Sequence, residues 1–380
     1  MALNSKFYGP LMACRLDISN GTFWLLGESH FKTGKPPAGT PHVVDMLREF
    51  TEIWMEISVK AEQYLWAGTS YTMPLPSGTV YFSPNLRMCQ ILVSSASYTA
   101  IPKFMDIRRL GVFRMLDCVI NCNTFNAIFI ETFRRRSNET DEQMSNRIKR
   151  MYMEWEKGFL TAVADPDELF RLLDSLLVPP SDMANPVYPE WFQDGLRTFA
   201  RAGMPLNGPH QDNPLHAVLV QLPDNTRNVL IEIGRAMFQP FVRNSAYTTA
   251  FRSILNTRHT NATNMVFDRY EDDVKQFFIR IVSILEDLYI VACILLAPEN
   301  DGSRAILMGS NHVRNIVNIL MVLEVATPAN CTIMHNNDKG ILDPATDMAP
   351  VQLDMAFIHT TKNMKHLLKK FKNARREQQK

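Results

Sequence analysis

Short, continuously apolar runs, each bounded by polar or turn-forming residues, are the clearest pattern in this chain. Such runs are typical of strands that are buried on both faces of a parallel sheet. They occur at 23–26, 53–55 and 305–308, and a further strand is predicted near 102–105. Together they predict an α/β protein with a central, mostly parallel sheet and flanking helices.

The segments around the first two runs predict how this sheet begins. Residues 12–26 are typical of a hairpin whose two-residue turn is Asn20-Gly21. Thr40 as N-cap and Pro41 at the first helical position predict a helix that continues to Phe50. A strand, a helix and a second strand in this order form a βαβ unit, which favours parallel pairing.

A helical period replaces the strand pattern in the middle of the chain. Residues 111–279 are predicted to form a large, mainly helical insertion or cap, and the α/β core is predicted to consist of 1–110 and 280–330. The remainder, 331–380, is predicted to be loop followed by a basic, amphipathic C-terminal helix. Such a helix usually docks on its own protein; the alternative is contact with an anionic partner such as nucleic acid, a membrane or an acidic protein.

Composition limits the classes of function. The chain has 380 residues, of which 46% are hydrophobic and 21% are charged, as in globular proteins. Its formal net charge of +1 creates no strong field for general binding of nucleic acid. The sequence contains no P-loop, no dinucleotide-binding fingerprint and no Gly-x-Ser-x-Gly elbow.

Targeting signals and cysteines indicate the compartment. The first residues lack the pattern of a signal peptide, and no apolar run reaches the roughly 18 residues that span a bilayer. The six cysteines are scattered, which predicts reduced, buried thiols instead of a disulfide framework or a zinc site. We therefore expect an intracellular protein that is not secreted and has no transmembrane segment.

Ionisable residues follow the predicted strands at their carboxyl ends. The carboxyl ends of parallel strands lie at one edge of a sheet, and open α/β sheets bind their ligands there. The sequence therefore predicts a site at this edge that brings distant segments together. Its candidate residues are Glu28, His30, Glu56, Asp106, Arg108 and His312.

Two imidazoles with nearby carboxylates suit two related chemistries. Glu28, His30, Glu56 and His312 are the predicted ligands of a divalent metal, for which Mn²⁺, Fe²⁺ and Zn²⁺ are the candidates. Alternatively, His30 is a general base with Glu28 and Glu56 as its carboxylate partners, and His312 is the second imidazole. Arg108 suits an anionic substrate group or the orientation of a carboxylate.

Most of these residues also have a structural interpretation. Glu28 can complement a helix N-terminus, and the two histidines can cap helices or fill polar pockets at the edge of the sheet. Asp106 and Arg108 alternate along a predicted strand and can pair with each other. His42, in the first turn of the predicted helix, is a further candidate with the same alternative.

The order of these motifs resembles the superfamily of ChaN-type haem-binding lipoproteins, erythromycin esterases and TIKI/TraB proteins. Gly27-Glu28-Ser29-His30 at the end of the first strand is similar to the ChaN version of the first motif. The strand ends at Glu56 and Asp106-Ile107-Arg108, with Gly309-Ser310-Asn311-His312, resemble an uncharacterised branch from large DNA viruses. The resemblance covers roughly residues 20–110 and 280–325.

This resemblance implies a hydrolase of ester or amide bonds, metal-dependent or His/Glu-dependent, with a small-molecule or peptide substrate. Erythromycin esterases have one more residue between the first acid and histidine than Glu28 and His30 have. The haem-binding members carry a signal peptide and an anchor, and neither is expected in this sequence. Haem is therefore the less favoured cofactor. The alternative is a non-catalytic viral virion or capsid-associated protein that keeps the fold, binds other virion proteins and resides in the host cytoplasm or the virion.

Overall fold

The structure is a computed structural model in which two compact units are distinguished. It describes residues 3, 5–29, 33–34, 37–56, 80–81, 88, 103–116, 133–181, 188–204, 213–259, 264–299, 302–337, 340–354 and 357. The first unit comprises Met1–Asp106 and Ile290–Ile358, and the second comprises Ile107–Tyr289 and His359–Lys380.

The strands of the described residues all belong to the first unit. They are β1 (Phe7–Tyr8), β2 (Met12–Ile18), β3 (Gly21–Glu28), β4 (Thr33–Gly34), β5 (Glu52–Met55), β6 (Val80–Tyr81), β7 (Lys103–Phe104), β8 (Ser303–Gly309), β9 (Cys331–His335), β10 (Ile341–Leu342) and β11 (Ala349–Pro350).

The helices include α1 and α9 of the first unit, and most of the others belong to the second. They are α1 (Val43–Met46), α2 (Asp141–Val163), α3 (Pro166–Leu177), α4 (Glu190–Arg201), α5 (Pro214–Leu219), α6 (Asp224–Val242), α7 (Ser245–His259), α8 (Asn264–Leu296) and α9 (Ser310–Val322). Two short 3-10 helices span Leu47–Glu49 and Ile107–Arg109.

A mixed, seven-stranded sheet forms the centre of the first unit. Its order among the described strands is β11-β9-β2-β3-β8-β5-β7. The neighbours β3, β8, β5 and β7 run parallel to one another, whereas β2, β9 and β11 pair antiparallel. The predicted α/β class, with a parallel centre and a helical region, is confirmed.

The central pair of strands explains why the apolar runs are continuous. Every position of β8 is buried, and β3 is buried from Phe23 to Glu28. The two strands pair in parallel from Thr22 opposite Ser303 to Glu28 opposite Gly309. Because both faces of the strands are covered, neither face carries the polar residues that would give alternation.

One fully buried charge lies at the amino end of β8. The Arg304 side chain is 0% exposed, and its two Nη atoms donate to the carbonyl oxygens of Asn20 and Pro298 at 2.8 and 2.7 Å. Its Nε lies 3.3 Å from Glu52 Oε1, and the guanidinium lies 5.3 Å from the centre of the Phe23 ring. These partners compensate for the loss of water around the charge.

The carboxyl group of Glu52 is kept ionised by the same cluster. Burial alone would raise the pKa of Glu52, but hydrogen bonds from Lys103, Trp54 and Arg304 outweigh that effect and lower it. A charged carboxylate therefore faces the Arg304 guanidinium at the edge of the sheet opposite the strand carboxyl ends.

The hairpin and the first helix form with shifted boundaries. Strand β2 ends at Ile18 and β3 begins at Gly21, so Asn20 lies in the loop and Gly21 pairs in the ladder. The φ of Gly21 is 128°, a conformation that favours glycine. The N-cap of α1 is His42, later than the predicted Thr40, because its Nδ1 accepts the Val44 N–H at 3.2 Å. His42 thus has a capping role.

Strand β7 is shorter than the predicted 102–105. It ends at Phe104, and the chain then enters the 3-10 helix Ile107–Arg109. Asp106 and Arg108 are therefore not alternating residues of one strand. The prediction that they alternate along a strand is wrong.

Two further differences concern predicted elements outside the core strands. Residues 331–335, predicted as loop, form β9, which pairs antiparallel with β2. The predicted basic C-terminal helix lies outside the described residues.

Two cysteines meet where β2 and β9 pair. Cys14 and Cys331 are free and buried, with their Sγ atoms 3.3 Å apart. The hydrogen bond with Cys331, together with burial, raises the pKa of the Cys14 thiol well above its ordinary value. The thiol is therefore protonated at neutral pH, and protonated thiols are poor nucleophiles.

Aromatic side chains fill the core of the second unit. The Trp155 ring centre lies 4.5 Å from that of Phe159 and 4.9 Å from that of Phe199, and Phe278 lies 5.3 Å from Phe159. A Cβ on Gly195 would lie 2.4 Å from Trp155 Nε1, so α4 packs closely only because this residue is glycine. Among the described helices of the chain, none has the length and apolar character needed to cross a bilayer.

Candidate functional site

The carboxyl ends of three neighbouring strands lie side by side at one edge of the sheet. Glu28 ends β3 and is opposite Gly309, the last residue of β8. Glu56 directly follows β5, and its N–H donates to the carbonyl oxygen of Leu307 in β8 at 2.9 Å. The parallel register therefore aligns residues that are far apart in sequence.

The fourth parallel strand brings a further carboxyl group to this edge. The Met105 N–H donates to the Met55 carbonyl oxygen at 2.8 Å, which continues the β5–β7 ladder by one residue. Asp106 follows and is buried. Arg108 lies in the 3-10 helix of the second unit and is half-buried.

The Glu56 carboxylate has defined partners on both oxygens. Its side chain is 1% exposed, and Oε2 accepts the Gly309 N–H at 2.6 Å. Oε1 lies 3.4 Å from His312 Nε2. Gly309 is the N-cap of α9 and has no side-chain cap of its own, so Glu56 provides the negative charge that a helix N-terminus favours.

His312 is the third residue of α9, and its imidazole remains partly accessible. The side chain is 13% exposed, whereas its Glu56 partner is almost fully enclosed. The 3.4 Å between Nε2 and Oε1 is longer than the roughly 2.7–3.2 Å of a usual N–H···O hydrogen bond. It equals the ~3.4 Å between two atoms that each lie ~2.1 Å from a tetrahedral metal ion.

Gly27 allows α9 to begin beside β3. A Cβ at this position would lie 2.6 Å from Met12 Cγ and 2.9 Å from the Ser310 Cα. The backbone of α9 could not move away from such a Cβ without also moving His312, which lies two residues after Ser310. The glycine of the Gly-Glu-x-His motif therefore has a packing role that positions the second histidine motif.

Three buried carboxyl groups share this edge: Glu28, Glu56 and Asp106. Burying several ionised carboxylates is costly unless protons, cationic side chains or a metal ion balance them. The His312 imidazole can provide one positive charge when it is protonated.

The predicted site residues do not all fall within the described structure. Glu28, Glu56, Asp106 and His312 lie at the same edge, whereas His30 lies outside the described residues. The pairing of His30 with His312 therefore stays a prediction.

The donor set at this edge fits a divalent transition metal. One imidazole nitrogen and carboxylate oxygens are ligands that Mn²⁺, Fe²⁺ and Zn²⁺ accept, and the Glu56–His312 spacing matches two neighbouring coordination positions. Glu28 and His30 stay predicted ligands of this set.

Glu286, a buried carboxylate on α8 in the second unit, was not among the predicted site residues. Its signal was available: residues 277–296 are mostly apolar, and an acidic residue inside such a helix is unusual. Asp287, its neighbour, is also buried.

Comparisons with protein-family models, with curated proteins and with solved structures found no match to this chain. The resemblance to the ChaN, erythromycin esterase and TIKI/TraB superfamily therefore depends on the motifs at the strand ends alone.

Proposed function

We propose that the chain is a hydrolase of ester or amide bonds whose site is the carboxyl edge of the parallel strands. The observation that carries the proposal is the contact between Glu56 and His312. A buried carboxylate, fixed by the Gly309 N–H at 2.6 Å, faces a partly accessible imidazole at 3.4 Å. A carboxylate that orients an imidazole is the usual arrangement for general base catalysis by histidine.

Each imidazole nitrogen has a separate role in this proposal. Glu56 faces Nε2, so a proton on Nε2 is directed towards the carboxylate and Nδ1 is left as the acceptor. Nδ1 takes a proton from water as the water oxygen bonds to the substrate carbonyl carbon. The bond from that carbon to the alcohol or amine then breaks, and the leaving group takes the proton from the imidazolium.

Glu56 contributes by stabilising the charged imidazolium. The carboxylate is enclosed by protein, where the attraction between opposite charges is stronger than in water. Its second oxygen is held by the Gly309 N–H, so Glu56 does not have to reorganise when His312 becomes charged.

The remaining edge residues have supporting roles. In the metal-dependent alternative, His312 Nε2 would bind the ion in place of its proton, and Glu28, Glu56 and His312, with the predicted His30, would hold a divalent metal such as Mn²⁺, Fe²⁺ or Zn²⁺. Such an ion lowers the pKa of water and polarises a carbonyl group. Arg108 is proposed to orient an anionic group of a small-molecule or peptide substrate.

The experiment compares hydrolysis by the wild-type chain and three variants, using chromogenic esters and peptide anilides with and without added Mn²⁺ or Zn²⁺. His312→Gln and Glu56→Gln should each lower the rate by about 100-fold or more, the usual contribution of a general base. The control is His335→Gln, at an exposed histidine of β9. It should keep the wild-type rate.

Two results would refute the proposal. One is a wild-type chain that hydrolyses none of these substrates with any of the metals, as expected for a non-catalytic virion component. The other is an unchanged rate in the His312→Gln variant, which would place any hydrolysis at another site.

A further inference from the structure

A second candidate site lies in the second unit, in an open cavity of about 520 Å³. This volume is within the range of small-molecule sites, about 300–1,000 Å³. The N-terminal part of α3, the C-terminal end of α6 and the first half of α7 provide its walls. The cavity is formed entirely by the second unit, so it does not depend on the strand-end site.

Two arginines give the cavity a positive wall. Arg243, the C-cap of α6, and Arg252 of α7 both line it and are exposed. Neither forms an ion pair within the part of the chain that the structure describes. Other arginines of this unit do have carboxylate partners, namely Arg147 with Glu139, Arg171 with Glu168, Arg197 with Asp194, Arg227 with Asp224 and Arg235 with Asp174.

Two hydroxyl groups lie on the same helical face as one of these arginines. Thr248 and Thr249 line the cavity, and they precede Arg252 by four and three residues. Residues three and four apart are neighbours on a helix surface. The hydroxyls can therefore donate to the same anion as the guanidinium.

An apolar surface completes the cavity. Phe170 of α3 is half-buried, and Val242 at the end of α6 is buried, so both offer carbon atoms to a bound molecule. A ligand that matches these walls has a compact anionic group at one end and an apolar group at the other.

We propose that this cavity binds a small organic phosphate. The phosphate would lie between Arg243 and Arg252, with Thr248 and Thr249 as hydroxyl donors, and the organic group would pack on Phe170 and Val242. A phosphate monoester carries a charge of about −1.5 to −2 near neutral pH and has three acceptor oxygens. Two guanidinium groups therefore match a phosphate better than they match a carboxylate, which has a single charge and two oxygens.

One acidic residue of the cavity allows the expected direction of the change in affinity to be tested. Asp167 also lines the cavity and is exposed, so its charge opposes that of a bound phosphate. Asp167→Asn removes this repulsion and should increase the affinity for an organic phosphate, whereas loss of either arginine should decrease it. A general effect on folding would not change the affinity in opposite directions.

The test is isothermal titration calorimetry of the full chain with phenyl phosphate and with inorganic phosphate. Wild-type protein should bind phenyl phosphate more tightly than inorganic phosphate, because only the former reaches the apolar wall. Arg243→Gln combined with Arg252→Gln should weaken binding by at least tenfold. The matched control is Arg201→Gln, at an exposed arginine of α4 outside the cavity, and it should bind as the wild type does.

Equal affinities of the double variant and the wild type would overturn the proposal, as would the absence of binding to phenyl phosphate. Because the substituted arginines are exposed, the variants should melt as the wild type does. Flotation with vesicles that contain phosphatidic acid shows whether the protein binds a phosphate in a lipid headgroup instead of a free organic phosphate. Binding to such vesicles without binding to phenyl phosphate would contradict the small-molecule assignment.

Discussion

Glu56 Oε2 accepts a 2.6 Å hydrogen bond from the Gly309 N–H, although 253 positions separate the two residues in the chain. The bond joins the end of β5 to the N-cap of α9 and so fixes the carboxylate that faces His312. The same carboxylate is therefore both a helix cap and the centre of the proposed site, and experiments have to separate these two roles.

Removal of the Glu56 charge should weaken metal binding. Wild-type protein that has been dialysed against a chelator is expected to bind Mn²⁺ or Zn²⁺ in isothermal titration, and Glu56→Gln should lower the affinity by at least ~10-fold because a charged ligand is lost. Glu299→Gln, at an exposed glutamate of the same unit, is the control and should not alter the affinity. Identical affinities of wild type and Glu56→Gln would exclude Glu56 as a ligand.

Gly27→Ala should destabilise the first unit and disturb the site. The added Cβ would lie 2.6 Å from Met12 Cγ and 2.9 Å from the Ser310 Cα, so the start of α9 has to shift. We expect a loss of about 1–3 kcal/mol in the free energy of unfolding, measured with urea.

A second glycine provides the control for this substitution. A Cβ on Gly158 of α2 would meet nothing within 4 Å. Gly158→Ala should therefore stabilise the helix by up to about 1 kcal/mol. If both substitutions had the same effect, close packing at Gly27 would not be the cause.

Arg304→Met should destabilise the protein although it introduces an apolar side chain into a buried position. The carbonyl oxygens of Asn20 and Pro298 would lose their donors, and Glu52 would lose one of its cationic partners. Removal of one partner from a buried charge cluster costs roughly 3 kcal/mol or more. Arg314→Met, at an exposed position of α9, should change the free energy of unfolding by less than about 0.5 kcal/mol.

The ionised Glu139 carboxylate should stabilise the second unit, and this contribution should be lost in acid. Bidentate hydrogen bonds from Arg147, aided by the Arg136 N–H, lower the pKa of Glu139 from 4.5 to about 2. As the pH falls through this window, the unfolded chain takes up a proton before the folded chain does, and stability is lost.

The measurement for Glu139 compares the free energies of unfolding of wild type and Glu139→Gln between pH 6 and pH 2. The advantage of the wild type should be complete above pH 4.5 and should shrink towards pH 2. Glu142→Gln, at an exposed glutamate in the first turn of α2, should follow the wild-type profile. A difference between wild type and Glu139→Gln that does not depend on pH would contradict the role of Arg147.

The central strands could be predicted because their burial leaves a direct mark on the sequence. β8 is apolar from Ala305 to Met308 because helices or loops cover both faces of such a strand. β9 could not be predicted in this way, since only Cys331 and Met334 of its residues are buried and the strand is recognised by its pairing with β2.

The site could be predicted in outline from the ends of the strands. Parallel pairing by itself brings Glu28, Glu56 and His312 to one edge, so the sequence order of strands and turns was sufficient. The contact of Glu56 with the Gly309 N–H was not predictable, because it depends on the register of β5 against β8 and on where α9 begins. The end of β7 at Phe104, before Asp106, was likewise not predictable from the sequence.

The most direct test of the account measures turnover and stability on one variant, His312→Gln. If the Glu56–His312 contact is a reactive site, the variant should lose at least about 99% of any hydrolytic rate. Its free energy of unfolding should change by no more than about 1 kcal/mol, as expected for a partly accessible ion pair. A variant that keeps its rate would show that His312 does no chemistry. A variant that loses its rate only because it unfolds would show that His312 and Glu56 stabilise the start of α9 instead.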